Sequence, residues 1–193
     1  MPIQRAKPKF SDVKNVSIAA STLPAGTIIQ TVVQQEDGTT SFTASGTSDL
    51  ILLASNAADS TSHLSVSITP TSTSSKILLS ACVFFEGNNN PHQHIFAFHR
   101  DSTKLGAPIV GSRRSGLVMP GVGYYAADND STAEAVNMLY YDSPNSTSAI
   151  TYAVSFQSSQ SNAIVYLNRT KTDSNSGGYE RGVSIITAQE IKV

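Results

Sequence analysis

The chain has 193 residues and a formal net charge of −1, and only 14% of its residues are charged. Its length suits one domain with a sizeable core, and its near-neutral balance gives no electrostatic reason to expect a nucleic acid or a membrane as partner. Serine and threonine, with 29 and 18 copies, take the place of the missing charges. Because such a composition favours strands and turns over helices, we expect an all-β protein.

The basic residues are concentrated at the beginning of the chain. Residues 1–25 have a net charge of +3, whereas the remainder has a net charge of −4. Prolines and isolated apolar residues give this first segment no strand or helix period, so we expect an extended arm (1–25) before a folded domain (26–193). The basic side chains of the arm are Arg5, Lys7, Lys9 and Lys14.

A single cysteine, Cys82, excludes an intrachain disulfide, and its position in an apolar run indicates a small buried side chain. The N-terminus lacks the apolar core of a secretory signal, and no apolar stretch approaches the length needed to span a membrane. We therefore expect a chain that is made in a cytoplasm and has no membrane anchor.

The rest of the chain shows the patterns of β-strands. Residues 27–36 are rich in β-branched side chains and end at the turn pair Asp37-Gly38. Residues 41–49 predict a weak strand or a loop, and residues 50–54 predict a short strand.

The stretch 63–86 gives the clearest prediction of two successive strands. Residues 63–69 alternate between apolar and polar side chains, which indicates one buried face. A Ser/Thr-rich turn leads to residues 76–86, an apolar run bounded by charges. Because this run is apolar on both faces, we expect an interior strand with Leu78 buried, joined to 63–69 as a hairpin.

The next predicted strand, 92–100, is also partly apolar on both faces. We expect the core to cover one face and a neighbouring subunit to cover the other. The candidate trimer-interface residues are His92, His94, Phe96 and Phe98. A metal bound by histidines on a threefold axis is the alternative, which the bulky phenylalanines on the same face disfavour.

A stretch rich in glycine and proline, 106–129, predicts a long loop of the kind found at functional or interface positions. The later predicted strands are 136–141, 150–157, 163–169 and 182–191. The only helix candidate, 132–138, is too short to be stable without packing. About eight to ten strands without βαβ alternation predict an antiparallel β-sandwich of jelly-roll type.

Candidate sites for chemistry are few. Residues 173–178 begin like a calcium-binding loop, but Ser184 stands where a bidentate Glu is needed, so we expect a turn. The familiar catalytic and phosphate-binding motifs are missing, so we expect no enzyme, no metal and no cofactor. Arg113 and Arg114 could contact an anion or form an inter-subunit ion pair. The candidates for glycan contact are Tyr124, Tyr125, Tyr140 and Tyr141, with at most one ring of each pair facing outward.

Several short phrases of the sequence resemble a β-sandwich domain common among tailed-bacteriophage virion proteins. They are Gly26-Thr27-Ile28-Ile29-Gln30, Ile68-Thr69-Pro70, Ser74-Ser75-Lys76-Ile77-Leu78, Asp142-Ser143-Pro144, Asn168-Arg169, Arg181-Gly182-Val183-Ser184-Ile185-Ile186 and Glu190-Ile191. The resemblance extends over residues 26–193. It implies a homotrimer that either forms the tip of a tail fibre or decorates a capsid.

The short chain without a fibre shaft, together with the basic arm, favours a trimeric capsid decoration (cement) protein on the outer surface of a virion. The arm would bind the major capsid protein. Its candidate contact residues are Arg5, Lys7, Lys9, Phe10 and Lys14. The alternative is a short tail fibre or fibre tip that binds a host-surface glycan. Neither function involves nucleic acid or a membrane, and in both cases the protein is made in the host cytoplasm.

Overall fold

The computed structural model describes residues 19–88, 93–108, 110–121 and 131–193. The described chain is nearly all β-structure, with short 3-10 turns at Ala20–Thr22 and Ala54–Asn56. In chain order its strands are β1 (Ile28–Glu36), β2 (Thr40–Thr43), β3 (Leu50–Ile51), β4 (Ser65–Ile68), β5 (Lys76–Gly87), β6 (Ile95–Arg100), β7 (Thr103–Leu105), β8 (Glu134–Asp142), β9 (Ile150–Gln157), β10 (Ile164–Leu167) and β11 (Ser184–Ile191). The predicted all-β class is confirmed. Most of the predicted arm, residues 1–18, lies outside the described residues.

The strands form two antiparallel sheets that pack face to face. In the first sheet, β5 pairs with β8 on one side, while β11 and then β1 follow on the other. β10 and then β2 continue this sheet from the far end of β5. In the second sheet, β9 pairs with β6 on one side, followed by β7, and with β3 and β4 on the other. The orders β1-β11-β5-β8 and β4-β9-β6-β7 are those of a jelly roll.

Strand β5 shows how alternation sets the packing. Its odd-numbered residues through Phe85 face inward and are buried, whereas its even-numbered residues through Phe84 face outward and are half-buried. The predictions that Leu78 and Cys82 are buried are therefore wrong, since both lie on the outer face of the first sheet. The largest fully buried side chains of the core are Tyr152, Phe42, Phe85, Phe96, Phe98 and Phe156.

The predicted hairpin of 63–69 and 76–86 does not form. β4 pairs with β9 in the second sheet and β5 pairs within the first, so the connection between them crosses from one sheet to the other. The buried Glu190 holds this crossing, because its Oε1 accepts hydrogen bonds of 2.8 Å from both the backbone N–H and the hydroxyl of Thr71. Alternation alone identifies strands but not the sheet that each strand joins.

The helix candidate 132–138 is also wrong, because residues 134–138 belong to β8. β8 is held in extended form by nine register partners on β5, from Phe85 to Ile77. Tertiary pairing thus overrides a short helical pattern.

The two ends of the sandwich differ. At the arm end, β1 begins and β11 ends, and the backbone N–H of Gly26 donates to Lys192 O at 2.8 Å while Lys192 N–H donates to Thr27 O at 2.9 Å. The ammonium of Lys192 also donates to Leu23 O. At the opposite end, which we call the loop end, lie residues 106–108, 110–121 and 168–183. The segment that leads into β1 is therefore held to the end of β11 by these hydrogen bonds.

Candidate functional surfaces

Three of the predicted interface residues lie inside the sandwich. His94, Phe96 and Phe98 are fully buried within the single chain. The Phe96 ring lies 4.8 Å from the ring of Phe85, and His94 stacks on Phe156 with their centroids 5.5 Å apart. These side chains have no exposed surface left for a neighbouring subunit, so the assignment of an interface to them is wrong. The fourth candidate, His92, lies outside the described residues.

The outer face of β6 is buried too, but by the chain itself. We call the outer side of the second sheet the covered face, and its buried members are Ala97, His99, Ala153 and Ser155. Lys104 of β7 extends its ammonium to 2.7 Å from Asp49 Oδ1, just before β3 at the other edge of the sheet. It also donates to Gln157 Oε1 at 3.3 Å. This polar bridge crosses the covered face, which explains why β6 is apolar on both sides.

The described part of the predicted long loop closes the edge of the same sheet. Phe96 N–H donates to Val118 O at 2.8 Å, and Leu117 N–H donates to Phe96 O at 2.7 Å. Gly116 lies so close that a Cβ there would be 2.6 Å from Cγ1 of Ile95 and 2.7 Å from Phe96 O. Only glycine fits at this distance, so this part of the loop has a structural role.

The two arginines of that loop bond to the chain's own backbone. Arg113 Nη1 donates to Val110 O at 3.4 Å, and Arg114 Nη1 donates to Gln93 O. Arg113 therefore bonds within the loop, whereas Arg114 holds the loop to the segment before β6. The anion contact and the inter-subunit ion pair stay predictions.

His99 is the titratable group of the covered face. Burial lowers its pKa, the Asp49 carboxylate opposes this shift, and the Lys104 ammonium reinforces it. The neutral imidazole is therefore the form that the folded chain favours.

The predicted glycan-contact tyrosines separate as the strand alternation requires. Tyr141 is 53% exposed on the outer face of the first sheet, whereas Tyr140 is half-buried and packs against the core. The cross-strand partner of Tyr141 is Leu78, an apolar neighbour rather than a polar one that could bind sugar hydroxyls. Tyr124 and Tyr125 lie outside the described residues.

The calcium-like stretch forms a turn. Arg181 donates to both carboxylate oxygens of Asp173, with Nε–Oδ1 at 2.9 Å and Nη2–Oδ2 at 2.7 Å. The hydrogen bond from Arg181 also lowers the pKa of Asp173. Over the described ranges, no group of three or more His, Cys, Asp or Glu side chains is placed to hold a metal ion.

The phrases that carry the family resemblance contain buried polar residues that fix the fold. Glu190 accepts a 2.5 Å hydrogen bond from Gln30 Nε2 in addition to those from Thr71. Burial opposes ionisation of Glu190, but hydrogen bonds from Ser75, Gln30 and Thr71 outweigh it and lower its pKa. This carboxylate ties β1, β11 and the crossing between the sheets together.

A second residue from these phrases, Asp142, joins the two sheets. Arg100 Nη1 donates to both of its carboxylate oxygens at 3.0 Å, and Tyr152 Oη donates to Oδ2 at 2.7 Å. Burial, and then the bond to Asp142, raise the pKa of Tyr152. The three side chains clamp β8 to β6 and β9.

Asn168 is the third such residue and is fully buried with a positive φ of 59°. Its Nδ2 donates to Glu36 O at 2.7 Å and Gly38 O at 2.9 Å, while its Oδ1 accepts from Ser184 Oγ at 2.6 Å. Asparagine tolerates this left-handed conformation better than most residues and satisfies three partners at once. These phrases therefore serve the fold.

Sequence reasoning missed the most distinctive surface, the central part of the outer side of β1, β11, β5 and β8, which we call the uncharged face. Register pairing sets its side chains in rows across β1, β11, β5 and β8. The face consists of Thr31, Val33, Gln35, Leu78, Ser80, Cys82, Phe84, Ala135, Asn137, Leu139, Tyr141, Ile185, Thr187 and Gln189. None of these is charged. The signal was present in β8, where apolar residues occupy outward as well as inward positions.

In the part of the chain that the structure describes, no helix has the length and apolar character that crossing a membrane requires. No protein-family model matches the sequence, and no curated protein matches it either.

Proposed function

We propose that this protein is a capsid decoration protein of a tailed bacteriophage, with the sandwich standing on the outer surface of the virion. The observation that carries the proposal is the fixed starting point of the basic arm. Leu23, Gly26 and Thr27 bond to Lys192 just after β11, so the residues that join the arm to the body are held at one end of the sandwich. By sequence, the arm has a net charge of +3 and the body a net charge of −4.

A fixed attachment of the arm to the body matters because ordering the arm on a partner costs conformational entropy. Each ordered residue loses roughly 1–2 kcal/mol of backbone conformational entropy, so the arm needs an extended contact to remain bound. Strand addition to an edge of the major capsid protein would satisfy its backbone groups. Arg5, Lys7, Lys9 and Lys14 would add attraction to an acidic shell, mainly through the association rate and in a salt-dependent way.

A second candidate function, recognition of a host-surface glycan by a tail fibre tip, is favoured by one feature of the loop end. An open depression there is lined by Asp173, Ser174, Asn175, Ser176, Tyr179 and Arg181. An aromatic ring among amide and hydroxyl groups is the chemistry that binds sugars. The Asp173–Arg181 ion pair already uses part of this polar lining, so we rank this function second.

The test is binding to capsids that lack their native decoration protein. Deleting residues 1–18 preserves every described contact of residues 19–27, so we expect a folded body that no longer binds. A matched full-length variant with Arg5, Lys7, Lys9 and Lys14 replaced by Ser should bind more weakly and with a flatter salt dependence.

Two outcomes would contradict the proposal. If the truncated chain decorates capsids to full occupancy, the arm is not the anchor. If neither form binds capsids but both bind host cells, and Tyr179→Ala abolishes that binding, the protein is a glycan-binding fibre tip.

A further inference from the structure

We propose that the uncharged face is where copies of this chain meet, turned toward the symmetry axis of the homo-oligomer. This inference rests on the proposed function, because it gives the expected homotrimer the contact surface that His94, Phe96 and Phe98 cannot supply. The same face also decides what kind of partner fits there.

Exposed large apolar side chains concentrate on this face. Leu139 is 67% exposed, Tyr141 53% and Val33 52%. Two further exposed residues lie at its border, Ile28 at the start of β1 and Val183 just before β11. Three of the eight large exposed apolar side chains in the described ranges therefore lie on this face, and two more lie at its border. A contiguous patch of this kind marks an interaction surface more often than a solvent face.

The absence of charge on the uncharged face favours a second copy of this chain as its partner. A charged group borders the face at the arm end, where Lys76 at the start of β5 is an outward residue. The centres of subunit interfaces are likewise depleted of charge and surrounded by a polar rim. The chain's own basic arm would have to bring its ammonium groups out of water with no counter-charge here. A second copy brings the same uncharged surface and no like-charge repulsion.

The size of the face suits the centre of such a contact. Four strands about 4.8 Å apart, over seven residues of about 3.4 Å each, cover roughly 450 Å² before side-chain relief is counted. A standard interface takes about 800 Å² from each partner. The uncharged face supplies about half of this area as a dry centre, and the polar residues around it supply the rim.

The experiment compares two glutamate substitutions at similarly exposed positions in the full-length protein. Leu139 lies on the face, while Val110, which is 58% exposed, lies in the loop-end segment. Because both side chains are open to solvent in a single copy, neither substitution should unfold it, which circular dichroism verifies. Light scattering over a dilution series should show the wild-type and Val110→Glu proteins as oligomers. For Leu139→Glu we expect the dissociation constant to rise at least about thirtyfold.

Cys82, the only thiol, provides a second readout from within the face. Its labelling by a maleimide should slow as the wild-type concentration rises, because a second copy covers it. In Leu139→Glu the labelling rate should not depend on concentration. Equal protection at all concentrations in both proteins would mean that the chain's own arm covers the face, and the inference would be overturned.

The outcomes also separate this inference from the decoration function. A wild-type protein that stays monomeric up to about 100 μM, a concentration at which ordinary interfaces form, would refute it. A Leu139→Glu protein that remains an oligomer would also refute the inference. If that oligomer still bound capsids, the proposed decoration function would be unaffected. A Leu139→Glu monomer that still binds stripped capsids would support the inference and show that anchoring and oligomerisation use different surfaces.

Discussion

The covered face of the second sheet and the uncharged face of the first are both outer sides of a sheet, but they have opposite surroundings. Over the covered face, the Asp49–Lys104 bridge and Gln157 shield Ala97, His99, Ala153 and Ser155 from solvent. Over the uncharged face the described chain places no comparable bridge, and Leu139 remains 67% exposed. The outer sides of two sheets can thus differ in exposure, and only the one that the chain leaves open has surface to offer a partner.

The difference teaches that two apolar faces on a strand are not evidence of a subunit neighbour. β6 is buried on both sides because the chain's own segments cross it. β8 looks less apolar, yet its outward Leu139 and Tyr141 are the side chains left open. What decides is whether polar side chains from the two edges of the sheet, here Lys104 and Asp49, meet across that face.

The largest effect should come from comparing the two sides of β5. Leu79 faces the core and is fully buried, so Leu79→Ala should reduce the free energy of unfolding by about 2–5 kcal/mol. Leu78 faces outward and is half-buried, so Leu78→Ala should cost less than about 1.5 kcal/mol in dilute protein. Chemical denaturation measures both.

Equal losses at high dilution would contradict this assignment of inner and outer sides. A Leu78→Ala loss that grows with protein concentration would instead show that another copy covers Leu78, in line with the proposed contact.

A second prediction concerns the loop that closes the edge of the second sheet. Gly116→Ala would bring a Cβ to 2.6 Å from Ile95 and 2.7 Å from Phe96 O, so the loop must shift. We expect a loss of about 1–3 kcal/mol, as for other overpacked sites. Gly121→Ala in the same loop has no described atom within 4 Å of the added Cβ and should be nearly neutral.

The measurement is again unfolding by denaturant, with hydrogen exchange of the Phe96 amide as a local readout. Since Phe96 N–H donates to Val118 O, its protection should fall in Gly116→Ala and not in Gly121→Ala. Unchanged protection in both variants would mean that the loop is not held by this contact.

Much of the fold could be predicted because strand patterning is local. The predicted strand 150–157 coincides with β9, and 27–36 and 136–141 overlap β1 and β8. What could not be predicted was the sheet that each strand joins. The crossing between β4 and β5 depends on Glu190, whose hydrogen-bond partner Gln30 lies 160 residues earlier in the sequence.

The candidate sites were harder to predict, because burial depends on parts of the chain distant in sequence. From the sequence alone, His94 and Phe98 look like interface residues, because the side chains that bury them in the core are distant in the chain. The exposed pair Leu139 and Tyr141 lies in the predicted strand 136–141, but strand alternation does not say which of its two sides stays open to solvent. The phrases behind the family resemblance were informative about the fold, since Asp142, Asn168 and Glu190 are buried polar residues that hold elements together.

A third prediction uses the pH dependence of stability to test the burial of His99 on the covered face. Because burial holds the pKa of His99 below its ordinary value of 6.5, the unfolded chain takes up a proton first as the pH falls. The stability that this group contributes is complete above pH 6.5 and declines as the pH drops from there toward the folded-state pKa. Denaturation curves between pH 7.5 and 5 should show this decline.

The matched variant is His99→Gln, which keeps a neutral polar side chain of similar size. Its stability at pH 7.5 should stay close to that of the wild type, and the decline below pH 6.5 should be smaller. An identical pH slope in both proteins would assign the titration to another group.

The smallest effect, and the only one expected to stabilise the protein, concerns Ser155 on the covered face. Ser155 is fully buried, and its hydroxyl has no hydrogen-bond partner among the described residues. A buried hydroxyl without a partner costs about 1–3 kcal/mol, part of which the small space left by its removal offsets. Ser155→Ala should therefore raise the free energy of unfolding by about 0.5–1 kcal/mol. Ser80→Ala on the half-buried uncharged face should change it by less than about 0.5 kcal/mol, because water reaches that hydroxyl. Destabilisation by Ser155→Ala would show that the covered face admits a water or a further polar contact, which would weaken the distinction between the two faces.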